Sequence, residues 1–280
     1  MGTPGGDARH VGHFVSWDGG CLLIGRAGGV VPLHAHYAIQ VAFGSAHGIG
    51  FRTSDRDPRT EYGGAVIPSR QPHAMDATRV QPSAMLLVEP ETRAGRALAS
   101  RYGDGGIAAI PDAALADVGP APFAAWRARR TVQDVADAAR HVLAALAGGV
   151  EPSVVVDERI LRAVAYVQAH LDAPLTLDAV ADAACLSPSR FRHLLVEQTG
   201  MGLRPYVLWR RFVRVWELLA GGASLSAAAH AAGFADAAHL SRTSRRMFGF
   251  PPSVIQLAEA LPARRDGAPR TPHGFAGPAS

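Results

Sequence analysis

The chain has 280 residues, enough for two domains that each bury a core of their own. Its 48% hydrophobic and 19% charged residues exclude a disordered chain, and a net charge of +4 at pH 7 permits a polyanionic partner without requiring one. All 28 basic residues are arginine, whose planar guanidinium grips phosphate or guanine through paired hydrogen bonds. Cys21 and Cys185 lie far apart and outside any CxxC spacing, which reads as reduced thiols in a cytoplasmic protein. The opening residues (MGTPGGDARHVGHF) lack the apolar core of a secretion signal. The uncharged stretch from Ala27 to Phe51 is broken by Pro32, three histidines and several glycines, so no membrane partner is expected.

From about 11 to 110 the chain is rich in Gly, Val and Pro. Short apolar runs (Cys21–Ile24, Ala38–Phe43, Ala65–Ile67 and Ala84–Val88) are each bounded by turn residues, the pattern of a small antiparallel β structure. His34 and His36, two apart on one strand, would point to the same face. His73 from a neighbouring strand would complete a trio of imidazoles, with Gln40 as a weak fourth donor. Three histidines suit Zn, Ni, Fe or Cu. The segment from Gly28 to Gln40 resembles the first cupin motif, and Pro68-Ser-Arg-Gln-Pro-His73 resembles the second. Gln40 stands where metal-binding cupins carry glutamate, and Arg70 where the second motif has glycine. Three readings of the trio stay open: a transition-metal site, a pocket for an organic effector, or histidines of a core.

Between Pro122 and Ala147 the texture becomes helical. Phe123, Trp126, Val132, Val135, Ala139, Val142, Leu143 and Leu146 recur at helical spacing until Gly148-Gly149 stops the run. This segment is expected to be a linker and dimerisation element. The chain is then helical from about Asp157 to Ala260, and a disordered tail is expected over 261–280.

The last helical zone contains an internal repeat. LTLDAVADAACLSPSRFRHLLVEQTGM (175–201) is matched by ASLSAAAHAAGFADAAHLSRTSRRMFGF (223–250). Leu177, Ala184 and Leu186 align with Leu225, Ala232 and Phe234. Phe191, Leu195 and Gly200 align with Leu240, Ser244 and Gly249 after a one-residue shift. Each copy reads as a short Ala-rich helix, a tight turn, and a longer helix closed by glycine, which is a helix-turn-helix. Ser187 is placed to cap the longer helix of the first copy, with Pro188 at its first position, and Asp236 to cap that of the second. Phe191, Leu194 and Leu195 turn inward, leaving Ser189, Arg190, Arg192 and His193 to face a major groove. In the second copy His239, Ser241, Arg242, Arg245 and Arg246 take that part. Leu203 to Ala220 would form one connecting helix that holds the two recognition helices in fixed relation.

The doubled motif, the TGMGLRPYVLWRRF start of the connecting helix, and the AAGFADAAHLSRTSRRMFGFPPS signature resemble the AraC/XylS regulators over roughly Asp157 to Ile255. The resemblance implies an α+β chain with a cupin-like β-barrel sensor (1–120), a helical linker (121–150), an all-α DNA reader with two helix-turn-helix motifs (151–260) and a tail (261–280). It implies a homodimeric, non-enzymatic transcriptional regulator. The partners would be a double-stranded DNA operator, a small effector or metal ion and, for an activator, RNA polymerase. A cupin-type metalloenzyme fused to a DNA-binding domain and a constitutive regulator without an active sensor are the alternatives. One position departs from the family: Ser244 stands where a phenylalanine is usual, which would leave an apolar slot unfilled.

Overall fold

The computed structural model describes residues 9–79, 82–103, 105–149, 157–257 and 261–262. The residues expected to form a tail lie outside these from 263 onward. Leu261, by contrast, is buried in a core, and the carbonyl of Pro262 accepts from the amide of Val132 at 3.1 Å.

The described strands are β1 (Arg9–Trp17), β2 (Gly20–Gly28), β3 (Val30–His34), β4 (Ile39–Gly44), β5 (Ile49–Arg52), β6 (Thr60–Tyr62), β7 (Gly64–Ile67), β8 (His73–Asp76), β9 (Ser83–Val88), β10 (Ala108–Ala109) and β11 (Ile255–Leu257). They form two sheets, ordered β10-β7-β4-β9-β2-β1-β11 and β3-β8-β5-β6. Neighbours run antiparallel, except that β11 joins β1 in parallel. The expected barrel is therefore a pair of open, cupin-like sheets. Their edge strands β10 and β6 are two and three residues long, too short to zip one sheet to the other.

The larger sheet is buried on both faces, and alternate residues of each strand serve different cores. Leu22 and Ile24 of β2, with Leu86 and Val88 of β9, face a helical layer. That layer consists of α1 (Arg93–Tyr102), α2 (Asp112–Val118), α3 (Pro120–Arg127) and α4 (Val132–Leu146). On the opposite face, Ala42, Ala65 and Ile67 meet Ile49 and Phe51 of the smaller sheet. The single helical run read from 122 to 147 is two helices. Thr131 accepts from the amide of Asp134 while the Asp134 carboxylate accepts from the amide of Thr131, a capping box that starts α4 anew. The apolar stripe of α4, from Val135 to Leu146, lies within the same core as the larger sheet.

The C-terminal helices are α5 (Glu158–Ala169), α6 (Leu177–Ala183), α7 (Pro188–Thr199), α8 (Leu203–Ala220), α9 (Leu225–Ala231) and α10 (Ala237–Phe248). Their core is continuous with the rest of the β sheet: Phe14, Cys21, Leu23 and Leu87 join the cluster built around Phe191, Trp209 and Phe212. Phe14 lies 6.3 Å from Trp216 of α8, centre to centre. The chain then returns through β11 to the edge of the larger sheet.

Candidate DNA interface and histidine cluster

Both helix-turn-helix units form as their caps require. Ser187 accepts from the amide of Arg190 to begin α7, with Pro188 in the first turn, and Asp236 accepts from the amide of His239 at 2.6 Å to begin α10. Each longer helix closes on a left-handed glycine, Gly200 and Gly249. Phe191, Leu194, Leu195, Leu240 and Phe248 are buried. That leaves Ser189, Arg190, Arg192 and His193 exposed on α7, and His239, Arg242, Arg245 and Arg246 exposed on α10, while Ser241 is half-buried at the margin. The ring of His239 stands edge-on to Phe234. On α8 the arginines divide: Arg211 donates to the carbonyls of Leu171 and Ala173, Arg210 is an interior residue described below, and Arg214 is exposed beside Glu217.

Ser244 spends its hydroxyl on the backbone at the end of α10. It is fully buried, and its hydroxyl donates to the carbonyl of Phe250 at 2.7 Å. The serine satisfies a backbone acceptor just past the end of α10, a task a phenylalanine cannot perform.

The three histidines converge by a different route from the one their spacing suggests. His34 ends β3 and is the register partner of His73 at the start of β8. His36 lies beyond the strand, because Pro32 lacks a ladder donor and the β3–β8 register shifts between Val31 and His34. A turn, not strand alternation, brings its ring back. One nitrogen from each imidazole lies within 4.8 Å of the others, and all three residues are buried. Gln40 joins them from β4, with Oε1 3.0 Å from His36 Nε2.

The rings are held in one tautomer. Nδ1 of His34, His36 and His73 lies 2.8, 2.9 and 2.9 Å from the carbonyls of Pro32, Ala38 and Gln71. A carbonyl only accepts, so each Nδ1 carries the proton and each Nε2 presents a lone pair. Burial is the first cause that keeps the rings neutral. With the neighbouring imidazoles it pushes His34 down to about 4 and His73 to about 2, and it lowers His36 against the pull of its hydrogen bonds. Nε2 of His73 is buried without a hydrogen-bond partner. At His36 two acceptors would face each other unless the Gln40 amide is turned to offer its NH2, an orientation its other contact, a weak one to the Met75 sulfur, allows. Three neutral, buried imidazoles with carbonyl-fixed Nδ1–H and unprotonated Nε2, that of His36 engaged by Gln40, have the donor set of a first-row transition-metal site.

Sequence reasoning missed the residues that join this cluster to the helical domain. Tyr37 follows His36, and its hydroxyl reaches both the carbonyl of Thr199, at the end of α7, and Oε2 of Glu91. Burial, then the charge of Glu89, raises the Glu91 carboxyl to about 8. The phenol, a single donor, thus faces two acceptors, and Oε1 of Glu91 is buried without a hydrogen-bond partner. Arg70 donates to the carbonyl of Gly200. It adopts φ 62°, the left-handed conformation for which the second cupin motif keeps glycine. Glu89 accepts from Trp209 Nε1 at 2.8 Å and from Arg210 at 2.7 Å. Glu89, Glu91, Arg210 and Tyr206 line a cavity of about 190 Å³ with Leu161 and Val164. The one signal in the sequence was a pair of acids, Glu89 and Glu91, directly after the apolar run that ends in Val88.

Comparison with known proteins bears on the helical domain and on the overall fold. The family described as "Helix-turn-helix domain" matches residues 180–257. The HTH-type transcriptional activator RhaS of Escherichia fergusonii is 31% identical over 101 residues, 36% of each protein, so the chain matches about a third of that relative's length. Among solved structures, ToxT of Vibrio cholerae aligns over 84% of this chain and 97% of its own, with a TM-score of 0.52 and 10% identity. ToxT bound to an unsaturated fatty acid aligns over 90% and 96%, with a TM-score of 0.50 and 9% identity. Residues 180–257 of the chain thus match a helix-turn-helix family, and the chain as a whole, a cupin-like sheet domain joined to a helical domain, shares the two-domain fold of ToxT.

Proposed function

We propose that the protein is a sequence-specific DNA-binding transcriptional regulator whose sheet domain senses a small effector or a metal ion at His34, His36, His73 and Gln40. The single observation that carries the DNA reading is the pair of capped recognition helices with their donor-rich faces turned outward. Arg190, Arg192, Arg242, Arg245 and Arg246 are all exposed. Guanidinium groups left free in this way are available to phosphates and guanine edges. Ser189, His193, His239 and Ser241 complete the proposed contact set. The role is that of a binding protein, with operator DNA as the macromolecular partner. Among the described residues no helix is long and apolar enough to cross a membrane.

The test uses the full chain and a duplex selected by it from a random pool. Affinity should fall steeply with salt, because each neutralised phosphate releases counterions. Arg192→Ala should relax base preference at one position of the selected site, a difference of about 1–3 kcal/mol. A duplex affinity that stays constant from low to moderate salt would overturn the reading.

A further inference from the structure

The histidine cluster sits where the sheet domain touches the ends of both recognition helices. The loop after β3 carries His36 and Tyr37, and Tyr37 holds the carbonyl of Thr199 at the end of α7. The loop before β8 carries Arg70 and His73, and Arg70 holds the carbonyl of Gly200, which closes α7. The amide of Arg70 donates to the carbonyl of His36 at 2.8 Å, tying the two loops together. On the other side Gly249, which closes α10, lies so close to β3 that a Cβ there would stand 2.8 Å from Val31, 3.0 Å from the Pro32 carbonyl and 3.2 Å from His34 Nδ1. Phe248 of α10 lies 6.0 Å from His36, ring to ring. The equivalent glycines of the two repeats thus flank one cluster.

We propose that His34, His36 and His73 bind a divalent transition metal through Nε2, and that metal occupancy sets operator affinity by moving the ends of α7 and α10. This rests on the sensing role assigned to the trio above. Three neutral nitrogens with no carboxylate among them favour zinc, nickel, copper or iron over magnesium or calcium, and three protein ligands leave a coordination position open. With a metal–nitrogen bond of about 2.0–2.1 Å, tetrahedral ligands stand about 3.3 Å apart. Here one nitrogen of each ring lies within 4.8 Å of the others, a bound wider than that spacing. Binding therefore draws the rings inward, and the two loops follow because the rings are fixed to their own backbones through Nδ1. Close-packed seams convert such small shifts into a discrete rearrangement. By linkage, whatever factor the metal applies to DNA affinity, DNA applies to metal affinity.

The experiment titrates the full-length protein with Zn(II) against a chromophoric chelator, and measures affinity for the selected duplex by anisotropy at fixed salt, with and without Zn(II). The expected result is zinc uptake that His34→Gln and His73→Gln abolish, and a change in duplex affinity of about 5-fold or more on zinc loading. The reciprocal change should appear in zinc affinity when the duplex is present. Tyr37→Phe and Arg70→Gly, which touch no ligand nitrogen, should keep zinc uptake and reduce that ratio towards one. Arg70→Gly suits the backbone conformation already present, so it removes the guanidinium without adding strain. Zinc uptake with unchanged duplex affinity overturns the coupling and leaves the metal site standing. A ratio that survives in both variants overturns the route through the helix ends. Failure to take up zinc overturns the coupling and the metal site together, while the salt-dependent DNA binding tested above is unaffected.

Discussion

The two helix-turn-helix units are built to one pattern and finished differently. At the turn, the first unit has Cys185 where the second has Gly233, and both take a left-handed conformation, φ 54° and 78°. Cys185 is exposed, whereas a Cβ on Gly233 would stand 2.1 Å from the Leu171 carbonyl and 2.7 Å from the Arg211 guanidinium. Inside the longer helix, Leu195 fills the first unit with hydrocarbon, and Ser244 fills the second with a hydrogen bond. At the seam, the first unit is held through carbonyls that accept from Tyr37 and Arg70, and the second through close van der Waals contact with β3. The first unit is therefore tethered by polar contacts at an open turn, and the second is wedged between backbone surfaces on two sides. Glycine is compulsory only where another backbone comes close.

Several changes would break or sharpen this contrast. The largest effect at the first unit is expected from pH. The neutral form of Glu91 is favoured on folding, since burial and Glu89 raise its carboxyl from the usual 4.5 to about 8 while the nearby Arg210 opposes. Its contribution is complete below pH 4.5 and is lost as pH climbs through about 8, on the order of a few kcal/mol. Chemical denaturation between pH 6.5 and 8, above the range in which the depressed histidines gain protons on unfolding, should show a falling stability that Glu91→Gln flattens, and an equal slope in the variant would remove Glu91 from the seam. Next, Gly233→Ala should cost about 3 kcal/mol, from left-handed strain and a backbone collision, while Cys185→Ala should be near neutral. Equal melting temperatures for the two variants would erase the distinction between the turns.

A third change compares the helix ends. Gly249→Ala should cost about 2–3 kcal/mol because β3 has no room for it, and Gly200→Ala about 1 kcal/mol, since nothing stands within 4 Å of its Cβ position. Thermal unfolding of the pair reads the difference directly. The fourth and smallest concerns Ser244. Restoring the expected aromatic side chain, Ser244→Phe, should lower stability by about 1–2 kcal/mol, because it overpacks a closed site and strands the Phe250 carbonyl. A higher melting temperature would show that the slot is open after all.

The helical third was legible because its signals are local. Ser187-Pro188, Asp236 and the closing glycines announce helix ends within a few residues, and the repeat checks each assignment against its copy. Leu203–Ala220 emerges as a helix with the bounds its apolar spacing suggested. The sheet domain was legible only in outline. Cys21–Ile24 and Ala84–Val88 read as unbroken apolar runs because their strands are buried on both faces, which hides the alternation that would have revealed two different cores. The histidine trio was legible as a set, but not its geometry, because a bulge beside Pro32 is a property of strand pairing. The seam was illegible for a further reason: Tyr37, Arg70 and Glu91 find their partners 130 or more residues away or across a sheet, where no spacing rule reaches.

The parallel pairing of β11 with β1 carries a consequence for biogenesis. His10, Val11 and Gly12 find their partners in Ile255, Gln256 and Leu257, so β1 must wait for a strand synthesised long after it. Throughout synthesis one side of β1 remains an open row of amides and carbonyls, the kind of edge that recruits other chains. The sheet domain closes that edge only once the helical domain has been made and has folded back onto it. A message truncated after the sheet domain would yield a sheet with an open margin at β1. Crowding at high expression would select for pairing between nascent chains at β1, and a short peptide carrying the Ile255–Leu257 sequence should compete for that margin.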